Sequence, residues 1–281
     1  TALVVGAEKI TDETGTPVNA ALASGLDADF EAVQGLTYAG AGALLMRRYM
    51  YEHNVEVADF AGFSVNAHAN GASNPMAMFR NRLKPERFTM APLVADPVSL
   101  FDAAPTGDGA AAIIVTSSER AKDMVPQPVE IIGSALATDT MGLHDRKDLL
   151  HLAAAASSAG RAMEAAGVTH EDIDLFELHD SFTVMAALSL EATGFAARGQ
   201  GWQLAHDGEI GRDGRIPIST FGGLKARGNP IGATGVYQVV EVAQQLRGEA
   251  EACQVEGARI GMAQNLGTTG ATAVTHVLRI S

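Results

Sequence analysis

The sequence predicts an α/β protein, and three observations carry that reading. Short runs rich in Val, Ile and Ala alternate with longer segments of helical periodicity. Glycines close many of these segments. The glycine-rich stretch at 222–235, GGLKARGNPIGATG, feeds straight into a helical pattern. There Val236, Val239, Val240, Ala243 and Leu246 sit at i, i+3, i+4, i+7 and i+10, one face of a helix, with Gly248 as its C-cap.

Taken in order, residues 2–5 read as a buried strand closed by Gly6. Residues 35–54 carry a helical pattern with Ala43, Leu44, Met46 and Met50 among its apolar positions. Residues 67–97 hold Gly71, Pro75, Pro85, Pro92 and Pro97, and read as a long irregular excursion of the kind that often serves function. DGAAAIIVT at 108–116 is a second buried strand. Pro126 and Pro128 mark a boundary, which divides the chain into 1–125 and 126–281. Beyond it, 129–137 is strand-like and 149–166 an Ala-rich helix closed by Gly167. Thr169 and Asp172 form a capping box, 173–178 is a strand, and 184–193 is a helix closed by Gly194. Residues 198–214 are polar and glycine-rich, hence a loop, and 259–263 and 272–278 are the last strands. Gly109–Val115 echoes 270–277, which points to two similar halves. Because Thr1 falls directly in a strand-like run, the first half is expected to lack its beginning.

Composition narrows the function. Across 281 residues, 47% are hydrophobic and 19% charged, which fits a sizeable core and excludes a disordered chain. The 20 basic and 33 acidic side chains leave a net charge of −13, so the phosphate backbone of a nucleic acid is an unsuited partner. No apolar run reaches the length of a membrane span, and no signal peptide is visible. Cys253 stands alone, which excludes an intrachain disulfide, argues for a reducing, cytoplasmic setting, and disfavours a thiolate zinc site. A GxGxxG after the first strand, a P-loop, HExxH and GxSxG are all absent.

Three glycine-bounded loops hold the reactive side chains. ELHDSF at 177–182 lies where a strand enters a helix, the place where open α/β sheets form their crevices. His179 there reads as a donor to a carbonyl oxygen, directly or through water, or else as a structural histidine. Ser181 reads as a weak nucleophile or, like Asp180, as a cap of the next helix. In the second loop, Pro230 biases Asn229 toward extended backbone. The Asn229 amide donates and accepts but cannot relay a proton at neutral pH. It therefore orients a ligand or is a plain turn residue, and is no general base. GMAQNLGTTG at 261–270 is the third. With Asn265 and Gly267 it reads as a donor of backbone N–H groups to an oxyanion, or as a tight turn between strands. His68 lines the pocket or is structural. Arg80, Arg82, Lys84 and Arg87 meet a phosphorylated ligand or form a solvated loop, and Lys225, Arg227 and Gly228 are placed with the same ligand. Cys253, in a polar segment away from all three loops, is set aside as nucleophile.

These residues assemble into a family resemblance. ELHDSF resembles the HDCF-type motif of thiolases related to sterol carrier protein and to the archaeal enzymes, and 222–235 resembles their GGxxxxGHPxGATG. DAAPTGDGAAAIIV at 102–115 is similar to the segment closing their N-terminal half, and ARIGMAQNLGTTGATAVTHVL at 258–278 to their last hairpin. The likeness spans essentially the whole chain and is nearest to archaeal-type acetyl-CoA C-acetyltransferases. It implies a thiolase-like fold of two related β/α halves in layered sheets and helices. It implies Claisen condensation or thiolytic cleavage of 3-oxoacyl-CoA, in lipid metabolism. Coenzyme A or acyl-CoA enters as substrate, with no permanently bound cofactor and no metal. Family members are homodimers or tetramers, and some pair with a small zinc-ribbon/OB-fold protein.

By the same resemblance, residues 1–9 look like the strand after the nucleophile helix, and the cysteine nucleophile belongs upstream of Thr1. The His of GHP, which activates that thiolate, falls at Asn229. The His that positions an oxyanion donor is His179, and the acid/base Cys of some relatives is Ser181. Asn229 makes ordinary turnover impaired or altered, which keeps two alternatives open. One is a non-catalytic, acyl-CoA-binding subunit. The other is a carbon–carbon lyase, a retro-aldolase, working with a zinc-ribbon/OB-fold partner.

Overall fold

Two β-sheets share one helix in this protein, described for residues 1–13 and 15–281 by a computed structural model. The strands are β1 (Ala2–Glu8), β2 (Leu93–Ala95), β3 (Val98–Ser99), β4 (Gly109–Val115), β5 (Val129–Thr138), β6 (Leu175–Glu177), β7 (Ile260–Gly267) and β8 (Thr272–Ile280). The helices are α1 (Thr16–Ala23), α2 (Tyr38–His53), α3 (Ala61–Gly71), α4 (Pro85–Thr89), α5 (Ser118–Met124), α6 (Ala153–Ala166), α7 (Thr183–Ala192), α8 (Gly201–His206) and α9 (Ile231–Arg247). A four-stranded sheet runs β5-β8-β7-β6, with β6 and β7 parallel and the other neighbours antiparallel. Helix α6 covers one face and α9 the other, and the β1–β4 ribbon packs on the far side of α9. Gly6 allows that last contact, because a Cβ there would meet Ala233 Cα at 2.9 Å.

Several expectations are corrected. β1 and β4 are strands but not buried: Leu3, Val5 and Ile114 are 67%, 60% and 61% exposed, because α9 covers only one face of the ribbon. The excursion begins as helix α3, and the 198–214 loop contains α8. α9 starts at Ile231, so Gly232 and Gly235 lie in its first turns. Pro230 precedes it, and the Glu8 carboxylate takes the Gly232 N–H at 3.0 Å, an anion at the positive helix end. The apolar stripe read along α9 is only part of its buried surface. Val239, Val242 and Leu246 meet the sheet, while Thr234, Gln238, Glu241 and Gln245 are buried too. Residues 261–267 are strand rather than loop, and only the turn to β8 remains. No helix among the described residues is long and apolar enough to cross a membrane.

α7 is buried on every side from Thr183 to Leu190, as a helix at the centre of a core must be. It fixes the segment between β6 and itself, where His179, Asp180 and Ser181 lie. Asp180 then ties down the glycine loop: Leu224 N–H donates to Oδ1 at 2.8 Å and Ser219 Oγ to Oδ2 at 3.2 Å. Gly223 makes room for this, at φ 54°, where a Cβ would lie 2.4 Å from Asp180 Oδ2. Gly223→Ala is therefore expected to cost at least about 1–3 kcal/mol from backbone strain alone, measured by equilibrium denaturation. A stability equal to wild type would contradict this account.

Candidate active site

The register of the parallel pair sets the site. Leu175 lies beside Gly261 and Glu177 beside Ala263, so two residues further on His179 falls beside Asn265 on the face toward α9. Their side chains meet, with Asn265 Nδ2 3.1 Å from His179 Nδ1. Both line a cavity of about 600 Å³, together with Asn229, Gly267, Tyr38 and Glu8. The Tyr38 hydroxyl donates to Thr268 O at 3.2 Å, and its ring packs against Phe182 at 5.0 Å. α1 supplies Pro17, Val18, Ala21 and Leu22 to the cavity's outer wall.

Asn229 is held from both ends. Its N–H donates to Pro105 O at 3.0 Å and its carbonyl accepts from Gly107 N–H at 3.3 Å. The Thr234 hydroxyl, in the first turns of α9, lies 2.8 Å from Asn229 Oδ1 and 3.0 Å from Pro230 O, two acceptors that share its one proton. With Oδ1 turned toward Thr234, Nδ2 is left as the free donor.

His179 is neutral at physiological pH. Burial first, and the Arg227 charge second, pull its pKa from 6.5 down to about 4. An ionic cluster lies behind it. Arg227 Nε sits 2.8 Å from Glu241 Oε1, in contact but not in hydrogen-bond alignment, with its guanidinium 4.8 Å from the Tyr237 ring centroid. Burial raises Glu177 to about 7 and Glu241 to about 8, opposed in both by Arg227. Glu177 Oε1 accepts from Thr220 N–H at 2.7 Å and Thr220 Oγ at 2.6 Å.

The structure brings together His179, Asn229, Asn265 and Gly267, and separates them from the other predicted residues. Lys225 is buried, donates to Asp102 O, and is lowered by burial to about 8, so it is a core cation. Arg227 and Gly228 line a second cavity of about 480 Å³, on the other side of the chain from Asn229. His68 is buried beside Phe79, with Nδ1 3.3 Å from Asn81 O. Arg80, Arg82, Lys84 and Arg87 are exposed and line neither cavity. Ser181 does not cap α7, whose N-cap is Phe182. Its Oγ is buried without an aligned partner. Cys253 is buried in the wall of the second cavity, its thiol pushed up by burial to about 11. No group of three or more His, Cys, Asp or Glu that could hold a metal ion occurs among the described residues. Tyr38, Thr234 and Gln238 escaped the sequence reading. A larger concavity of about 1410 Å³ runs beside α2 and holds none of the predicted site residues.

Four likenesses place the chain among known proteins. Residues 135–280 match the family described as Thiolase C-terminal domain-like. Over 276 residues the chain is 42% identical to the acetyl-CoA acetyltransferase of Methanothermobacter thermautotrophicus, an alignment covering 98% of this chain and 71% of that protein. The acetyl-CoA acetyltransferase of Methanocaldococcus jannaschii is 35% identical over 283 residues, covering 98% and 72%. Among solved structures, the Ltp2-ChsH2(DUF35) aldolase superposes with a TM-score of 0.84 at 25% identity, over 99% of this chain and 72% of that one.

The histidine's state has a pH signature. Above about pH 6.5 His179 is neutral whether folded or unfolded. Below it the unfolded chain takes a proton that the folded site refuses, so stability falls as pH drops from about 6.5 to about 4. NMR of the folded protein should show no His179 titration between about pH 5 and 8, and a midpoint near 6.5 would overturn this assignment.

Proposed function

The chain belongs to the thiolase family, as an acyltransferase, and we propose that it makes or breaks a carbon–carbon bond in a 3-oxoacyl-CoA by holding the thioester carbonyl between two neutral donors. One observation carries this: His179 and Asn229 line the same cavity, and the side-chain acceptor of each is already occupied from inside the protein. Each then offers an N–H to a ligand oxygen. Donors fixed in advance are the arrangement that stabilises charge on a thioester oxygen as an enolate or tetrahedral intermediate forms. Proton transfer is the weak half of the reaction. Neither side chain is a base at neutral pH, so turnover is slow beside that of a relative with His at the position of Asn229. Coenzyme A and acyl-CoA are the substrates, and the working form is a homodimer or tetramer.

The test is coenzyme A-dependent cleavage of acetoacetyl-CoA by the complete protein. His179→Ala should lower kcat about 10²–10³-fold, the usual loss for one oxyanion donor. Asn229→His should raise turnover, by up to about 10²–10⁴-fold if it restores a positioned base. Absence of cleavage by both wild type and Asn229→His would sink this reading.

Asn229 also favours a second reading, a retro-aldol lyase working with a zinc-ribbon/OB-fold partner. It polarises the thioester in the same way but needs no cysteine nucleophile. The likeness to a structure named as an Ltp2-ChsH2(DUF35) aldolase supports it. It predicts cleavage of a 3-hydroxyacyl-CoA to a carbonyl compound and a shorter acyl-CoA without added coenzyme A. Strict dependence on free coenzyme A would rule it out.

A further inference from the structure

The donor role of His179 depends on which ring nitrogen carries its proton, and that choice can be traced to a residue outside the cavity. Gln238 is buried on the inner face of α9. Its Nε2 donates to two backbone carbonyls, Glu177 O at 3.2 Å and Gln264 O at 2.9 Å. Carbonyl oxygens only accept, so the Gln238 amide has one sensible orientation, with Oε1 turned toward Asn265. Asn265 Nδ2 lies 3.0 Å from that oxygen and must be the nitrogen end of its amide. Its second proton points to His179 Nδ1 at 3.1 Å. Nδ1 is then an acceptor, and the single proton of the neutral ring sits on Nε2.

We propose that Gln238 is a positioning residue which, through Asn265, fixes His179 as the Nε2–H tautomer and so gives the cavity its donor. The proposal deepens the reading of His179 as a carbonyl donor and rests on it for its catalytic consequence alone. Two strands and one helix carry the relay: Glu177 on β6, Gln264 and Asn265 on β7, and Gln238 on α9. The amide pair sits where β6 and β7 end side by side. Its polarity is anchored on main-chain atoms that cannot turn over, unlike a chain of side-chain amides that ends in solvent.

The test reads the tautomer directly, by ¹⁵N NMR of the His179 ring nitrogens in the full chain. Wild type should show a protonated Nε2 and a bare Nδ1. In Gln238→Met the Asn265 amide loses its anchor, and His179 should show both tautomers. Asn265→Asp puts an acceptor beside Nδ1 with little change of shape, and should move the proton to Nδ1. It also covers the case in which Gln238→Met does not fold. In the cleavage assay both variants should lose kcat by about 10- to 100-fold, as when an outer partner of a ligating histidine is removed, with KM less affected. An Nε2–H ring unchanged in Gln238→Met overturns the proposal, as does one unchanged in Asn265→Asp. A tautomer that shifts without loss of kcat keeps Gln238 as the positioning residue and overturns the donor reading of His179 instead.

Discussion

α9 has a sheet on each side, so any polar group on its inner face must find its partner inside the protein. An unpaired buried amide or hydroxyl costs about 1–3 kcal/mol, and the Thr234, Gln238 and Gln245 side chains all avoid that penalty. Thr234 bonds Asn229, Gln238 bonds the ends of β6 and β7, and Gln245 bonds Thr220 and the Cys253 carbonyl. The first two of these partners are at the cavity, and the third supports Thr220, which in turn holds Glu177. Satisfying the helix and shaping the site are thus one arrangement. The β1–β4 ribbon packs on another side of α9, where Gly6 meets Ala233 and Val236.

The ionic cluster behind the cavity follows the same logic with charges. Arg227 faces Glu241 directly and is felt by Glu177 and Asp180. Burial raises all three carboxyl groups, so the cluster holds fewer charges than a count of its side chains implies. Removing Arg227 alone would strand acids in the interior, the costly way to break a buried pair. The cluster therefore belongs to the scaffold of the loop that carries Asn229, and its positive member depresses His179 from behind. Arg227, read from sequence as a ligand contact, instead adds its charge to burial in keeping His179 neutral.

Much of the fold was legible because local signals and tertiary context agreed. The helical pattern at 35–54 became α2, and the Ala-rich run closed by Gly167 became α6. The Thr169–Asp172 capping box formed as read. Strand signals at 129–137 and 272–278 became β5 and β8. Where the reading missed, a distant partner had decided the outcome. Gly232 and Gly235 look like loop residues until Glu8, more than two hundred positions away, caps the helix that contains them. Thr234 and Gln238 lie off the apolar stripe read along α9, and only their distant partners, Asn229 and the ends of β6 and β7, draw them inside. Asn265 was found but placed in a loop, because GMAQNLG lacks the β-branched residues that mark a strand. His179 and Asn229 were legible because strand ends and glycine loops are where an α/β sheet exposes side chains.

The contrast between Asn229 and a histidine in its place narrows to one property. Both side chains present an acceptor and an N–H, and the Thr234 hydroxyl that meets Asn229 Oδ1 would serve a ring nitrogen as well. The Thr234 hydroxyl is therefore a partner that either side chain can use. What asparagine lacks is the capacity to take a proton and release it. In the proposed reading, a site built this way keeps its hold on a thioester oxygen while giving up acid–base catalysis, and the two functions are separable because different atoms perform them. The chemistry open to the protein is then decided by what supplies the proton acceptor, since the polarised carbonyl is common to Claisen, thiolytic and retro-aldol reactions. Among groups lining the cavity, the Tyr38 phenol is raised by burial to about 12 and stays protonated, Glu8 already holds the α9 terminus, and Lys9 and Glu13 are exposed to solvent.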